Sequence, residues 1–366
     1  MNLRGKKILL ISPEPWGTSQ LSKHHYAMAL ARRNNEVWFL GPPGREHEST
    51  AEKIPGLHWL KDQFTYRGLR FLPPRLQNFL LRRSANSIMR HCKTHFDVVW
   101  SFDNSRHYLL DAFQAPTRIH HVVDIGMNFH LCRCARSANL ALASNRSIFD
   151  ELSACQANTH FLHHGYAPAE GGTSRLRSDN KKLIAAYAGN MLIPFFNWDL
   201  VTSLVHSHPE VEFYFIGSTG KGNLNRTDSS SARSRMDALR SLNNVHFTGE
   251  KSPAETQSML SSADILLLAY DHVKFPKEVQ NPHKVMTYLS TGKVILSHPM
   301  TAYPGNGILE MEKNTTAYLA KFNDICLHIS AYNSEENKSR RIAFALEHTY
   351  ERQIERVENL LKGKDE

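Results

Sequence analysis

Short apolar runs alternate along this chain with longer segments whose apolar residues recur every three or four positions. Ile8-Leu9-Leu10-Ile11 has the length of a buried strand, Ser12 to Gly17 reads as a loop, and residues 19–33, with Leu21, Tyr26, Met28, Ala29 and Leu30, read as a helix. Val37 to Leu40 follows as a second strand, so the chain opens on a βαβ unit. The same alternation predicts strands at 96–102 and 118–123. Residues 167–182 turn to Pro, Gly, Ser and charge and read as a linker. Beyond them, strands are predicted at 183–188, 211–216, 263–268 and 294–296, with helices at 198–206 and 253–260. Residues 221–234 are polar and serine-rich and read as a loop, whereas 336–362 reads as one charged helix with Ile342, Leu346, Tyr350, Ile354, Val357 and Leu361 on one side. Strands alternating with helices predict an α/β protein with parallel sheets, and 366 residues are too many for one typical core. Two α/β domains are expected, at 1–166 and 183–335, followed by a C-terminal segment at 336–366.

The stretch from Asn281 to His298 organises the second half. Pro282 suits a first helical turn, Val285, Met286 and Leu289 form an apolar face, Gly292 stops the helix, and Val294 to Leu296 restart as a strand. A helix start favours an anion through its unpaired N–H groups and dipole, and Lys284 adds a full positive charge there. On the residues alone, an ordinary αβ unit of a doubly wound sheet fits this stretch as well.

Pro282, Lys284, Tyr288, Leu289 and Gly292 also resemble a signature of glycosyltransferases with two facing Rossmann-like domains (the GT-B type), especially those of family four. The resemblance implies that this segment, His283 included, binds the diphosphate and ribose of a nucleotide-sugar. The glutamate by which the family grips the ribose is Thr287 here, and its partner eight residues earlier is Val279, with Glu278 one position out of register. Gly189-Asn190 and Gly217-Ser218, each ending a predicted strand, and Gly249 resemble the turns that let backbone approach the donor. The lysine that many members carry in the first of these turns is absent. Trp16-Gly17 takes the place of the family's glycine pair in the first loop, which implies an acceptor-side position, and a plain strand-to-helix connection fits it as well. Asn139 to Ser144, Ser147 to Leu152 and Thr159 to His164-Gly165 resemble the strand, helix and strand that close the family's first domain, Asn244 to Gly249 resembles a family strand and turn of the second, and the last helix is expected to cross back to the first.

Asp124 ends a predicted strand, where open α/β sheets place functional groups. By resemblance it is a candidate general base for the acceptor hydroxyl, and a turn aspartate is the plain alternative. Cys132-x-Cys134 near His120, His121 and His130 lacks the second ligand pair of a structural zinc site, so no metal and no other cofactor is expected. Five cysteines form an odd, unpatterned set that points to free thiols in a reducing compartment.

The net charge of +9 is uneven: residues 1–185 carry 25 Lys+Arg against 14 Asp+Glu, and residues 186–366 carry 19 against 21. Residues 67–93 hold Arg67, Arg70, Arg75, Arg82, Arg83, Arg90 and Lys93 with no acid, interleaved with large apolar residues. Such a segment either lies on an anionic membrane, with Arg75, Arg82 and Arg83 at the surface, or packs as a helix with a solvated basic face. No nucleic-acid-binding motif accompanies the charge, and no apolar run reaches the length of a membrane span. The expectation is a cytoplasmic glycosyltransferase, peripheral on the inner membrane face, that passes sugar from a nucleotide-sugar to a glycan or lipid-linked acceptor in envelope or exopolysaccharide synthesis. An epimerase or hydrolase of nucleotide-sugars on the same fold, or a non-catalytic membrane-surface binder, stays open.

Overall fold

The computed structural model describes residues 1–17, 20–44, 54–126, 129–169, 171–178, 181–218, 230–303 and 307–363. The chain divides into two compact units, the first Met1–Gly165 with Tyr350–Glu366 and the second Tyr166–Thr349.

The first unit is built on a parallel sheet of seven strands, β1 (Lys7–Ile11), β2 (Glu36–Gly41), β3 (Leu57–Lys61), β4 (Val98–Ser101), β5 (Thr117–Val122), β6 (Leu140–Ala143) and β7 (Thr159–Phe161), in the order β3-β2-β1-β4-β5-β6-β7. Ile8 to Ile11 and Val98 to Trp100 are fully buried, which is why both central strands read as unbroken apolar runs. Helices α1 (Ser22–Arg32), α2 (Pro74–Cys92), α3 (Leu131–Ser137) and α4 (Arg146–Ser153) lie between the strands in the chain. Asn145 caps α4 by accepting from the Ile148 amide. Strand β3 was not legible in the sequence, because it is an edge strand with Trp59 half exposed and no apolar run.

The second unit repeats the plan with six strands, β8 (Ile184–Ala188), β9 (Glu212–Ile216), β10 (Val245–Gly249), β11 (Ile265–Leu268), β12 (Val294–Ser297) and β13 (Glu310–Met311), in the order β10-β9-β8-β11-β12-β13. Its helices are α5 (Trp198–Ser207), α6 (Ser230–Arg240), α7 (Pro253–Ser261), α8 (Lys284–Leu289), α9 (Thr315–Leu327), α10 (Ile329–Tyr332) and α11 (Glu335–Glu347). Ser252 and Glu255 form a capping box at α7. Of the serine-rich loop expected at 221–234, the part before Ser230 lies outside the described residues and the rest begins α6. Residues in the 167–182 segment pack onto this unit: Leu176 is in its core and its amide donates to Ser262 Oγ (2.9 Å).

The charged helix expected over 336–362 is two helices, because His348 caps α11 and the chain restarts as α12 (Tyr350–Leu360). The periodicity persists across the break, which hid it. α12 belongs to the first unit, where the Tyr350 ring stacks on His25 (4.9 Å) and meets Tyr26 edge-on (4.9 Å). Glu358 accepts from the Leu3 amide (2.6 Å) and from Arg33 (2.8 Å). A Cβ on Gly165 would lie 2.5 Å from the Tyr350 ring, so glycine is required under it.

The expectation of five free thiols fails at one pair: Cys132, in α3, is disulfide-bonded to Cys155, just past α4. The fold brings the ends of two neighbouring helices together across 23 residues, a proximity that sequence spacing alone does not signal. Cys92, Cys134 and Cys326 are free.

Candidate functional site

In a doubly wound sheet, ligands bind beyond the carboxyl ends of the strands where the strand order reverses. In the second unit that reversal lies between β8 and β11. Gly189 follows β8 directly, with φ +138°, and Tyr270 lies two residues past β11. Gly189 donates its amide to Ile216 O (2.7 Å), and Gly217 donates to Gly249 O (3.0 Å), so the three strand-end glycines predicted from the sequence are linked in one row. A Cβ on Gly217 would sit 2.2 Å from Gly189 O, and one on Gly189 would sit 2.3 Å from Lys284 Nζ. Gly217 is thus required by the close approach of two strand-end backbones, and a side chain on Gly189 would displace the Lys284 ammonium. Gly249 has φ +71°, and a Cβ on it would meet none of the described residues within 4 Å.

Helix α8 is pinned to this edge by Tyr288, whose hydroxyl accepts from the Ala188 amide (2.6 Å). Pro282 and His283 precede the helix; His283 occupies the cap position and is exposed. The helix has only six residues, so its dipole is small and the charge at its start is chiefly that of Lys284. Lys284 turns its ammonium toward the end of β8. Nζ donates to Tyr187 Oη (2.9 Å), lies 4.1 Å from the Tyr187 ring centre and 5.3 Å from that of Tyr270. Among the described residues no carboxylate pairs with it, and burial pushes its pKa down to about 7. A cation so placed calls for an anion. The Thr287 hydroxyl, half-buried one turn further along, has no hydrogen-bond partner among the described residues. Asn190 and Ser218 are half-buried at the same strand ends; Asn190 Oδ1 accepts from the Leu192 amide (2.8 Å), which shapes the turn. Val279 is buried in the core and Glu278 is exposed, so neither supplies a second carboxylate here.

In the first unit, Asp124 lies two residues past β5 with its side chain 61% exposed. The sequence did not show what faces it. Lys23, in the first turn of α1 and only 1% exposed, holds Glu14 at 2.6 Å and stands 3.7 Å from Asp124. Burial raises the pKa of Glu14, against the pull of Lys23. Glu14 lies in the loop after β1, and a Pro-Glu-Pro loop with a lysine nine residues on was the available signal. In the same loop Trp16 packs edge-on against Phe39 (4.9 Å) and His24 (5.3 Å), and a Cβ on Gly17 would meet none of the described residues within 4 Å.

A second ionic cluster closes the ends of β1 to β4. Arg106 donates to Asp103 (2.6 Å), Asp62 (2.8 Å), Gly41 O (3.1 Å) and Ser12 O (2.5 Å), while His107 pairs with Asp62 (2.7 Å). These partners hold both carboxyls below their ordinary range despite burial. Arg106 is therefore fully engaged as a strap across strand ends.

On α2, Arg75 and Arg83 are exposed without acid partners among the described residues, and Arg82 pairs with Asp111 (2.9 Å). Phe79 stands 60% exposed on the same helix, with Leu76 beside it. Among the described residues no three His, Cys, Asp or Glu side chains converge as metal ligands, and no helix is long and apolar enough to cross a membrane.

No family model and no curated protein sequence matches this chain. Solved structures do. The Anabaena protein HepE in complex with UDP and glucose superposes with a TM-score of 0.64 at 12% identity, over 97% of this chain and 99% of its own. The sucrose-phosphate synthase of Thermosynechococcus elongatus gives 0.67 at 11% identity, over 98% of each chain. The lipopolysaccharide outer core galactosyltransferase WaaB gives 0.60 at 12% identity, over 98% of this chain and 99% of its own. The chain has the GT-B fold. At these identities the likeness is one of fold, and the local geometry has to carry the chemistry.

Proposed function

We propose that this protein is a glycosyltransferase that moves a sugar from a nucleoside-diphosphate sugar to a hydroxyl of a glycan or lipid-linked acceptor in cell-envelope or exopolysaccharide synthesis. The observation that carries the reading is Lys284, a cation without a counter-ion held over two tyrosine rings beside Gly189. The acceptor oxygen bonds to the anomeric carbon, the bond from that carbon to the diphosphate breaks, and its electron pair stays with the departing diphosphate. Lys284 stabilises that developing charge. Gly189, Gly217 and Gly249 leave room for the phosphates, with Asn190, Ser218, Pro282, His283 and Tyr288 shaping the pocket and the Thr287 hydroxyl facing the ribose. Asp124 takes the acceptor proton, with Lys23 and Glu14 behind it and the Trp16-Gly17 loop on the acceptor side. The names of similar structures agree with this assignment: one is a complex with UDP and glucose, another a galactosyltransferase of the lipopolysaccharide outer core.

Lys284 supplies the charge that a metal supplies elsewhere, so turnover is expected to survive a chelator. The basic, apolar face of α2 would hold the enzyme on an anionic membrane at roughly 1 kcal/mol per basic residue. Reversing Arg75, Arg82 and Arg83 to Glu should then cut sedimentation with phosphatidylglycerol liposomes by at least about a hundredfold; equal pelleting removes the membrane contact.

The function itself is tested by incubating the protein with a panel of labelled nucleotide-sugars and a lipid and glycan extract. Transfer of label to the extract, lost in Lys284→Met and Asp124→Asn, is expected. Conversion of donor without acceptor would make the protein an epimerase or hydrolase, and consumption of no donor would refute the assignment.

A further inference from the structure

In the first unit the chain segments following β3, β4 and β5 converge on a pocket of about 430 Å³, lined among others by Thr65, Arg70, Phe71, Tyr108, Phe129 and His130. That volume lies within the range of roughly 300 to 1,000 Å³ usual for small-molecule sites. Several lining groups are already committed. Thr65 donates to Asp62, Ser105 to Asp103, and the Arg106 guanidinium is spent on Asp103, Asp62 and two carbonyls. Tyr108 is the buried floor, its ring under that of His130 (3.7 Å) and its hydroxyl donating to Gln77 (3.0 Å).

Four groups are unspent. Phe71 and Phe129 stand 77% and 70% exposed, the two most exposed aromatic rings among the described residues. Neither ring nitrogen of His130 has a hydrogen-bond partner there, and burial beside Arg133 lowers its pKa, so the imidazole is neutral and offers one donor and one acceptor. Among the described residues the Arg70 guanidinium pairs with no carboxylate, and it rests on the Phe71 ring (4.7 Å). No Asp or Glu lines the pocket.

Resting on the glycosyl-transfer reading, we infer that this pocket is the acceptor subsite and that it takes a sugar ring bearing an anionic group. The C–H face of a pyranose lies on Phe71 and Phe129, His130 exchanges hydrogen bonds with ring hydroxyls, and the anion meets Arg70 in the fork geometry that guanidinium prefers. Such an anion is a carboxylate, as in a uronic acid, or a phosphate on the sugar. Both present the same planar or near-planar pair of oxygens to Arg70.

Saturation-transfer NMR on the full chain tests this, with methyl β-glucuronide, glucose 1-phosphate and neutral methyl β-glucoside as probes. At least one charged probe is expected to bind, at least about tenfold more tightly than the neutral one. The tighter of the two identifies the anion. Arg70→Gln should erase that preference, and Phe129→Ala should weaken every probe, both without loss of fold because the side chains are exposed. The UDP-induced thermal shift, which reports the second unit, should stay unchanged in both variants. Equal binding of neutral and charged probes, binding unmoved by Arg70→Gln and Phe129→Ala, or no binding of any probe overturns the subsite. An absent UDP shift in the unaltered protein would instead refute the donor site, so the two failures are separable.

Discussion

Lys284 offers a quantitative test, because its proton reports the anion. Burial takes its pKa from 10.5 to about 7. At 1.36 kcal/mol per unit the shift corresponds to at most about 5 kcal/mol. The sign follows from proton counts: between about pH 7 and 10.5 the unfolded chain binds the proton and the folded one does not. The cost is present in full below pH 7 and is relieved as pH rises through that window. A bound diphosphate reverses the balance, since an anion at Nζ restores the charged form. Binding at pH 8 should therefore take up about 0.9 of a proton, and binding at pH 6 about 0.1. Isothermal titration of UDP in two buffers of different ionisation enthalpy measures this directly. Affinity should fall about tenfold per pH unit above 7, and Lys284→Met should lose both the uptake and the slope while gaining stability without ligand. UDP binding at pH 8 with no proton uptake, or uptake equal in Lys284→Met, would refute the reasoning.

Three further outcomes are expected. Burial holds His120 in the first unit and His298 in the second at a pKa of about 4, so both are neutral when folded and charge on unfolding. Stability is full above about pH 6.5 and lost as pH falls toward 4, by about 2 kcal/mol per histidine at pH 5; an unchanged urea midpoint between pH 7.5 and 5 would contradict this. Glu358→Ala leaves Arg33 without its buried partner and should cost about 3 kcal/mol in denaturant melts, partly recovered in the double variant with Arg33→Ala. Gly217→Ala forces a Cβ to 2.2 Å from Gly189 O at φ +145° and should abolish UDP binding while the far-UV spectrum stays native; normal affinity would show that the glycine row does not shape the site.

The fold was legible where burial is two-sided. Ile8 to Ile11, Leu183 to Ala188 and Ala263 to Leu268 announce central strands because both faces are covered. The family resemblance at Lys284, Tyr288 and Gly292 pointed to this segment, and the structure shows how its residues are arranged: Tyr288 ties the helix to Ala188, and Lys284 lies against Gly189. What stayed hidden depends on long-range proximity. Lys23 looked like an ordinary helix lysine until the fold set Glu14 and Asp124 around it. The break at His348 lay inside an unbroken charged period, and the edge strands β3 and β13 are short and half exposed. His130 and Arg70 are 60 residues apart in the chain, and only the convergence after β3 and β5 puts them on one pocket.

The central claim is tested most directly by a crystal structure with UDP bound. The expected result is the diphosphate within about 3 Å of Lys284 Nζ, beside Gly189 and Gly217, with the ribose at Thr287. Ordered UDP elsewhere on the molecule, with Lys284 still resting on Tyr187, would contradict it.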